Sequence, residues 1–289
     1  MYSFSLKKLP KNTLDVNVNL SNDTVAKEYK NTFQLLLKDL SVQGFRKGKV
    51  PPGVAEKHLP KETVYQELIR TLLPKIYQEI IKKENLQPVI SPKIELVKAK
   101  EGEDWQIKIT IALKPLVSLG NYKELIKNVK DTHKKADIWT PGKNEKEKQE
   151  KEAKDRQSLL NEILTTLLKE VSVEISDLIL EEELNRRLAR LVDDVEKIGL
   201  TTESYLKSKN TTMEELKSRY KNEIEESYKI EFILSELSEK EGIKVEQSDI
   251  EKLLSSIKDE TERKKARDNS YFYAMILRKQ KTLDYLLGL

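Results

Sequence analysis

A chain of 289 residues, 35% charged and 37% hydrophobic with only 9 Gly and 9 Pro, has room for two or three domains and favours long solvated helices over a compact sandwich. Lys and Arg number 53 against 49 Asp and Glu, and a net charge of +4 excludes a globally basic nucleic-acid coat and confines any anion contact to a local patch. The lack of cysteine excludes disulfide frameworks and thiol catalysis, and the two histidines, His58 and His133, read as surface residues rather than zinc ligands.

The opening "MYSFSLKKLPKNTL" has no apolar signal-peptide core, and no apolar run nears ~20 residues, so a soluble cytoplasmic protein is expected, without a membrane partner. "TLDVNVNL" alternates Leu14, Val16, Val18 and Leu20 with polar residues, as in a strand with one buried face. Ser21 can cap a following helix whose apolar residues, Val25, Tyr29, Phe33, Leu36, Leu37 and Leu40, fall at helical intervals, with the helix ending before Gly44. "KETVYQELIRTLLPKIYQEIIKKENL" reads as helix, kinked or split at Pro74. "PVISPKIELVKAK" and "DWQIKITIAL" read as strands joined by a turn at Gly102. Together these form an α+β domain over residues 1–120, its helices on one sheet face.

Residues 130–155 are nearly devoid of aliphatics and rich in Lys and Glu, so 121–155 reads as a linker or the start of a solvated helix, with Trp139 its one large apolar residue. From 156 to 289 the pattern is helical. Leu180, Leu184, Leu188, Leu191, Val195 and Ile198 form one stripe stopped by Gly199. Thr212 and Glu215 have capping-box spacing, and that helix runs on to Gly242. Ser248 can cap a short helix, and a last one spans roughly 260–287. No phosphate loop, serine elbow or HExxH motif occurs, and the carboxylates alternate with lysines as on solvated helix faces. Neither an active site nor a cofactor is expected.

The stretch "QGFRKGKVPP", residues 43–52, carries the strongest local signal. Gly44 and Gly48 permit tight turning, Pro51 and Pro52 stiffen the exit, and Arg46, Lys47 and Lys49 splay over the surface. Basic turns are common on soluble proteins, so composition alone leaves anion binding open. Phe45 tips the balance, because an exposed aromatic at a loop tip marks a docking contact.

"GFRKGKVP", from Gly44 to Pro51, resembles the signature loop of the bacterial trigger factor family of ribosome-associated chaperones. "LILEEELNRRLARL", "IGLTTESYLKSKNTTMEELKSRY" and "IKVEQSDIEKLL" resemble that family's C-terminal arm region, in the right order. The resemblance implies an α+β ribosome-binding domain followed by a mainly α-helical, arm-forming chaperone domain. It implies ribosome contact by Gly44, Phe45, Arg46, Lys47, Gly48 and Lys49, against ribosomal RNA and an exit-tunnel protein of the large subunit. The implied function is ATP-independent holding of nascent or unfolded polypeptides, with a homodimer possible. Apolar helix residues, among them Tyr220, Tyr228, Phe232, Tyr271, Phe272 and Met275, are candidate client contacts, each more ordinarily a core residue. Family members insert an FK506-binding-type prolyl isomerase domain, which needs on the order of 100 residues. Residues 130–155 are too few and too polar for one, so the domain and its isomerase activity are expected to be absent. The alternatives are a ribosome-independent holding or assembly chaperone and an RNA-binding structural protein.

Overall fold

A computed structural model describes residues 2–136, 145–257 and 259–289. Trp139 lies outside them. The chain divides into two compact units, Met1–Lys114 and Pro115–Leu289.

The first unit is an antiparallel four-stranded sheet with helices packed on one face. Its elements in order are β1 (Tyr2–Leu9), β2 (Thr13–Leu20), α1 (Asn22–Asp39), α2 (Pro52–His58), α3 (Lys61–Lys83), β3 (Lys93–Lys98) and β4 (Trp105–Ala112), with strand order β1-β2-β4-β3. Register places Leu14, Val16, Val18 and Leu20 of β2 opposite Ile111, Ile109, Ile107 and Trp105 of β4. All eight are buried on the same face, and Val25 of α1 with Leu68, Ile76 and Ile80 of α3 closes over them. Each such side chain contributes about 1.5–3 kcal/mol of burial before entropy is counted. On the other face Asp15 is nearly buried, accepting from Thr110 Oγ1 at 2.7 Å and pairing with Lys108 at 3.2 Å.

β1 and α2 are elements that hydrophobic periodicity did not disclose. β1 is an edge strand whose alternation, Tyr2 and Phe4 against serines, breaks at Lys7 and Lys8. α3 is neither ended nor divided at Pro74. That residue lies on the exposed side, where solvent can satisfy the carbonyl left without a partner, while Leu73 and Ile76 anchor the helix on both sides of it. Ser21 stands at the start of α1, but its hydroxyl meets Thr24 Oγ1 at 2.9 Å instead of capping the helix.

The second unit is helical apart from a two-residue ladder, β5 (Val117–Ser118) with β6 (Ser172–Val173). Its helices are α4 (Tyr122–Ala136), α5 (Glu145–Glu170), α6 (Asp177–Lys197), α7 (Thr202–Ser208), α8 (Met213–Lys240), α9 (Gln247–Ser256), α10 (Glu260–Asp268) and α11 (Ser270–Gly288). The stretch 121–155, read from composition as a linker or the start of a solvated helix, carries α4 and the first part of α5, and Tyr122 and Ile126 of α4 are buried. α8 is the central strut, packed against α5, α6 and α11 through residues such as Leu216, Ile224, Ile233 and Leu237. Thr212 and Glu215 form the expected capping box, Glu215 N–H donating to Thr212 Oγ1 and Thr212 N–H to Glu215 Oε2.

Three expectations here are corrected. Ile198 is 67% exposed, because the helix stops at Lys197 and turns through Gly199 at φ 74°. The N-cap of α9 is Glu246, whose N–H donates to Asp249 Oδ2, and Ser248 lies inside the helix. The last predicted helix is two, α10 and α11, broken at Asn269. Among the described residues no helix is long and apolar enough to cross a membrane.

Candidate docking loop and apolar helix face

The segment between α1 and α2 brings Gly44, Phe45, Arg46, Lys47, Gly48 and Lys49 into one loop built of two consecutive turns. Phe45 N–H donates to the Val42 carbonyl at 3.0 Å, and Lys49 N–H donates to the Arg46 carbonyl at 2.9 Å. Each turn has glycine as its third residue, Gly44 at φ 89° and Gly48 at φ 72°, the left-handed conformation that side chains resist. Gly48 N–H also reaches back to the Leu40 carbonyl at 3.1 Å, fastening the second turn to the end of α1. There is no room for a side chain at that position: a Cβ on Gly48 would lie 2.7 Å from the Lys38 carbonyl oxygen, whereas one on Gly44 would meet nothing within 4 Å. Val50, buried at 3% exposure, anchors the far end, and Pro51 leads directly into α2.

This scaffold fixes the side chains at the junction of the turns. Phe45 is the last residue of the first turn and Arg46 the first of the second; both are exposed, Phe45 at 41%. Lys47 pairs with Asp39 at the end of α1, 3.1 Å away. Arg46 and Lys49 have no ion-pair partner among the described residues, which leaves them as the uncommitted cations of the tip. Arg46 can meet a phosphate or carboxylate with a two-pronged hydrogen bond. Lys61, nearby in sequence, is engaged elsewhere, with Glu101 at 2.6 Å. The sequence shows the loop's residues but not the fastening of Gly48 to α1. The four-residue spacing of the glycines is the signal that points to a double turn.

A second exposed feature lies on the other unit. Tyr271, Phe272, Met275 and Ile276 of α11 are 79%, 59%, 50% and 48% exposed and share one face at helical spacing. With Phe232 and Leu234 of α8 they line a groove of about 440 Å³. Of the candidate client contacts, Tyr271, Phe272 and Met275 are exposed, Tyr220 and Tyr228 are half-buried, and Phe232 belongs to the core. Ile276 was missed because an apolar residue on a helix gives no sign of which side faces solvent. Among the described residues no acidic or histidine cluster could hold a metal ion.

Comparison with known proteins decides the family. The model of the bacterial trigger factor protein matches residues 2–139, and the model of its C-terminus matches residues 143–287, half of the chain. The chain belongs to the trigger factor family. The trigger factor of Streptococcus suis strain 05ZYH33 is 33% identical over 135 residues, covering 47% of this chain and 31% of the relative. That of Streptococcus pneumoniae strain Hungary19A-6 is 35% identical over 123 residues, covering 43% of this chain and 28% of the relative. The chain thus matches about a third of the length of these trigger factors. A solved structure, described for promiscuous substrate recognition in the folding and assembly activities of the trigger factor chaperone, superposes with a TM-score of 0.68 over 99% of both chains. At 14% identity that likeness establishes the fold, an α+β unit followed by a helical one. Residues 140–142 alone separate the two family matches, so no isomerase domain lies between them.

Proposed function

We propose that this trigger factor family member is an ATP-independent chaperone that docks on the large ribosomal subunit beside the exit tunnel and holds nascent or unfolded polypeptides. Residues 1–120 form the docking domain and 156–289 the holding domain. The observation that carries the reading is the double turn at 42–49, which holds an exposed Phe45 between Arg46 and a glycine-locked backbone. Arg46 and Lys49 neutralise ribosomal RNA phosphates or acidic side chains of an exit-tunnel protein, Phe45 fills an apolar recess, and Lys47 adds to the local positive field. Gly44 and Gly48 set the backbone on which these side chains stand.

The exposed face of α11 supports the holding half. Four apolar side chains on one face of a helix give contacts of about 1.5–3 kcal/mol each before ordering costs, enough for reversible and sequence-tolerant capture. No part of this needs a nucleotide, a metal or prolyl isomerisation, and a proline-limited refolding assay should run no faster with the protein than with an inert one.

Salt separates the two halves. Co-sedimentation with ribosomes should weaken steeply between 50 and 200 mM salt, on the order of tenfold or more if two or three phosphates are neutralised. Suppression of aggregation of an unfolded client should hardly change over the same range. Ribosome binding indifferent to salt would contradict the loop chemistry.

A further inference from the structure

A cleft of about 710 Å³ opens in the first unit between α1, the junction of α2 and α3, and the turn joining β3 to β4. That is the size of ordinary ligand pockets, about 300–1,000 Å³. Three aromatic side chains line it: Tyr29 and Phe33, one turn apart on α1, and Tyr65 of α3. The rings of Tyr29 and Tyr65 meet with centroids 4.7 Å apart and a tilt of 49°. Tyr65 leans in turn on the buried Trp105 at 5.6 Å. The sheet core therefore braces the aromatic wall from behind.

The polar groups of the cleft are unequal. Neither the Tyr29 nor the Tyr65 hydroxyl has a hydrogen-bond partner among the described residues, whereas Tyr2, Tyr122 and Tyr285 each donate to a carboxylate. Burial is the main cause that raises both cleft phenols above the ordinary tyrosine range, so at neutral pH each is an O–H donor. Lys61 spends its charge on Glu101 across the lip, 2.6 Å away. Glu56, also on the wall, has no ion-pair partner among the described residues. Beside Lys30 and the amides of Asn22 and Gln34 on its wall, the cleft offers a ligand ring faces, two free phenol hydroxyls and the carboxylate of Glu56.

We propose that this cleft receives a proline-rich, extended segment of another polypeptide, with a basic residue placed beside Glu56. A polyproline II segment makes no internal hydrogen bonds and has no N–H at its prolines, so it presents flat ring surfaces and carbonyl acceptors. Those are the counterparts of aromatic rings and phenol donors. An extended segment of other composition would bring an N–H donor at every residue, whereas a proline-rich one brings mainly carbonyl acceptors, the match for the two phenol donors. The polyproline conformation is also preformed and loses little entropy on docking into an aromatic-lined groove. The site is separate from residues 44–49 and stands whether or not that loop meets the ribosome.

The test is isothermal titration calorimetry of the full chain with a ten-residue proline-rich peptide ending in arginine, beside a twin with every proline replaced by alanine. The proline peptide should bind saturably and the twin at least tenfold more weakly. The double variant Tyr29→Phe, Tyr65→Phe keeps the rings and removes only the donors, and should bind about tenfold more weakly, the loss expected for two modest hydrogen bonds. An unchanged circular dichroism spectrum and thermal midpoint would show that its fold is intact. Glu56→Gln should weaken the arginine-tailed peptide several-fold and leave a neutral-tailed one unaffected. The proposal is overturned by absence of binding, by equal affinity for the twin, or by undiminished affinity in the double phenylalanine variant.

Discussion

The double-turn loop of the first unit and the α11 face of the second both expose apolar side chains, but they are held in opposite ways. Phe45 stands alone on a backbone fixed by two turns, by a hydrogen bond from Gly48 to α1 and by the buried Val50. Tyr271, Phe272, Met275 and Ile276 stand together on one face of a regular helix, about half exposed or more, beside a groove lined by Phe232 and Leu234 of α8. The first arrangement suits one partner of fixed shape, because backbone rigidity makes position part of the recognition. The second suits many partners, because an apolar stripe with a soft methionine adapts to whatever covers it. On the proposed reading, specific docking and tolerant holding reside on different units.

The glycines give the largest expected effect on that contrast. Gly44→Ala should cost about 1–2 kcal/mol, the ordinary penalty of a left-handed side-chain-bearing residue. Gly48→Ala should cost clearly more, because its methyl group must also displace the Lys38 carbonyl. Urea denaturation followed by circular dichroism measures both, and equal costs would contradict the fastening of the second turn to α1. Next in size is the α11 face. Changing Tyr271, Phe272, Met275 and Ile276 to serine should reduce suppression of client aggregation several-fold while stability shifts by no more than about 0.5 kcal/mol per site, as for exposed positions. A large loss of stability would show that the face packs within the unit and is not a holding surface.

The smallest effect concerns how α11 is anchored. The Glu241 carboxylate, just past α8, accepts hydrogen bonds from the hydroxyls of Tyr122 on α4 and Tyr285 on α11, with Lys123 Nζ at 3.1 Å. These donors, Tyr122 first, hold its pKa down to about 2 from an ordinary 4.5. A lowered carboxylate pKa stabilises the fold fully above the unfolded value, and that stabilisation is lost as pH falls toward the folded one. Glu241→Gln should therefore be less stable than the wild type at pH 7, and the gap should close between about pH 4.5 and 2. A gap independent of pH, read from thermal midpoints, would show that the carboxylate charge is not what ties α11 down.

How much of this was legible in the sequence follows from what each residue depends on. β2, β4 and the Thr212 capping box were readable because their signals are local: strict alternation in one case, a three-residue spacing in the other. β1 and α2 were not, because an edge strand and a seven-residue helix bury too little to leave a period. The loop's residue types were plain, but the closeness of Gly48 to Lys38 depends on how the chain returns to α1. The Tyr122–Glu241–Tyr285 cluster joins residues more than forty positions apart, a separation that periodicity does not register.

The central claim is that the double turn docks this chain on the ribosome. Its most direct test is co-sedimentation of purified ribosomes with the wild type beside the variant Phe45→Ala, Arg46→Ala, Lys47→Ala at low salt. The variant should keep the helical circular dichroism signal and its suppression of client aggregation, yet leave the ribosome pellet almost entirely. Undiminished co-sedimentation of a folded variant would contradict the account.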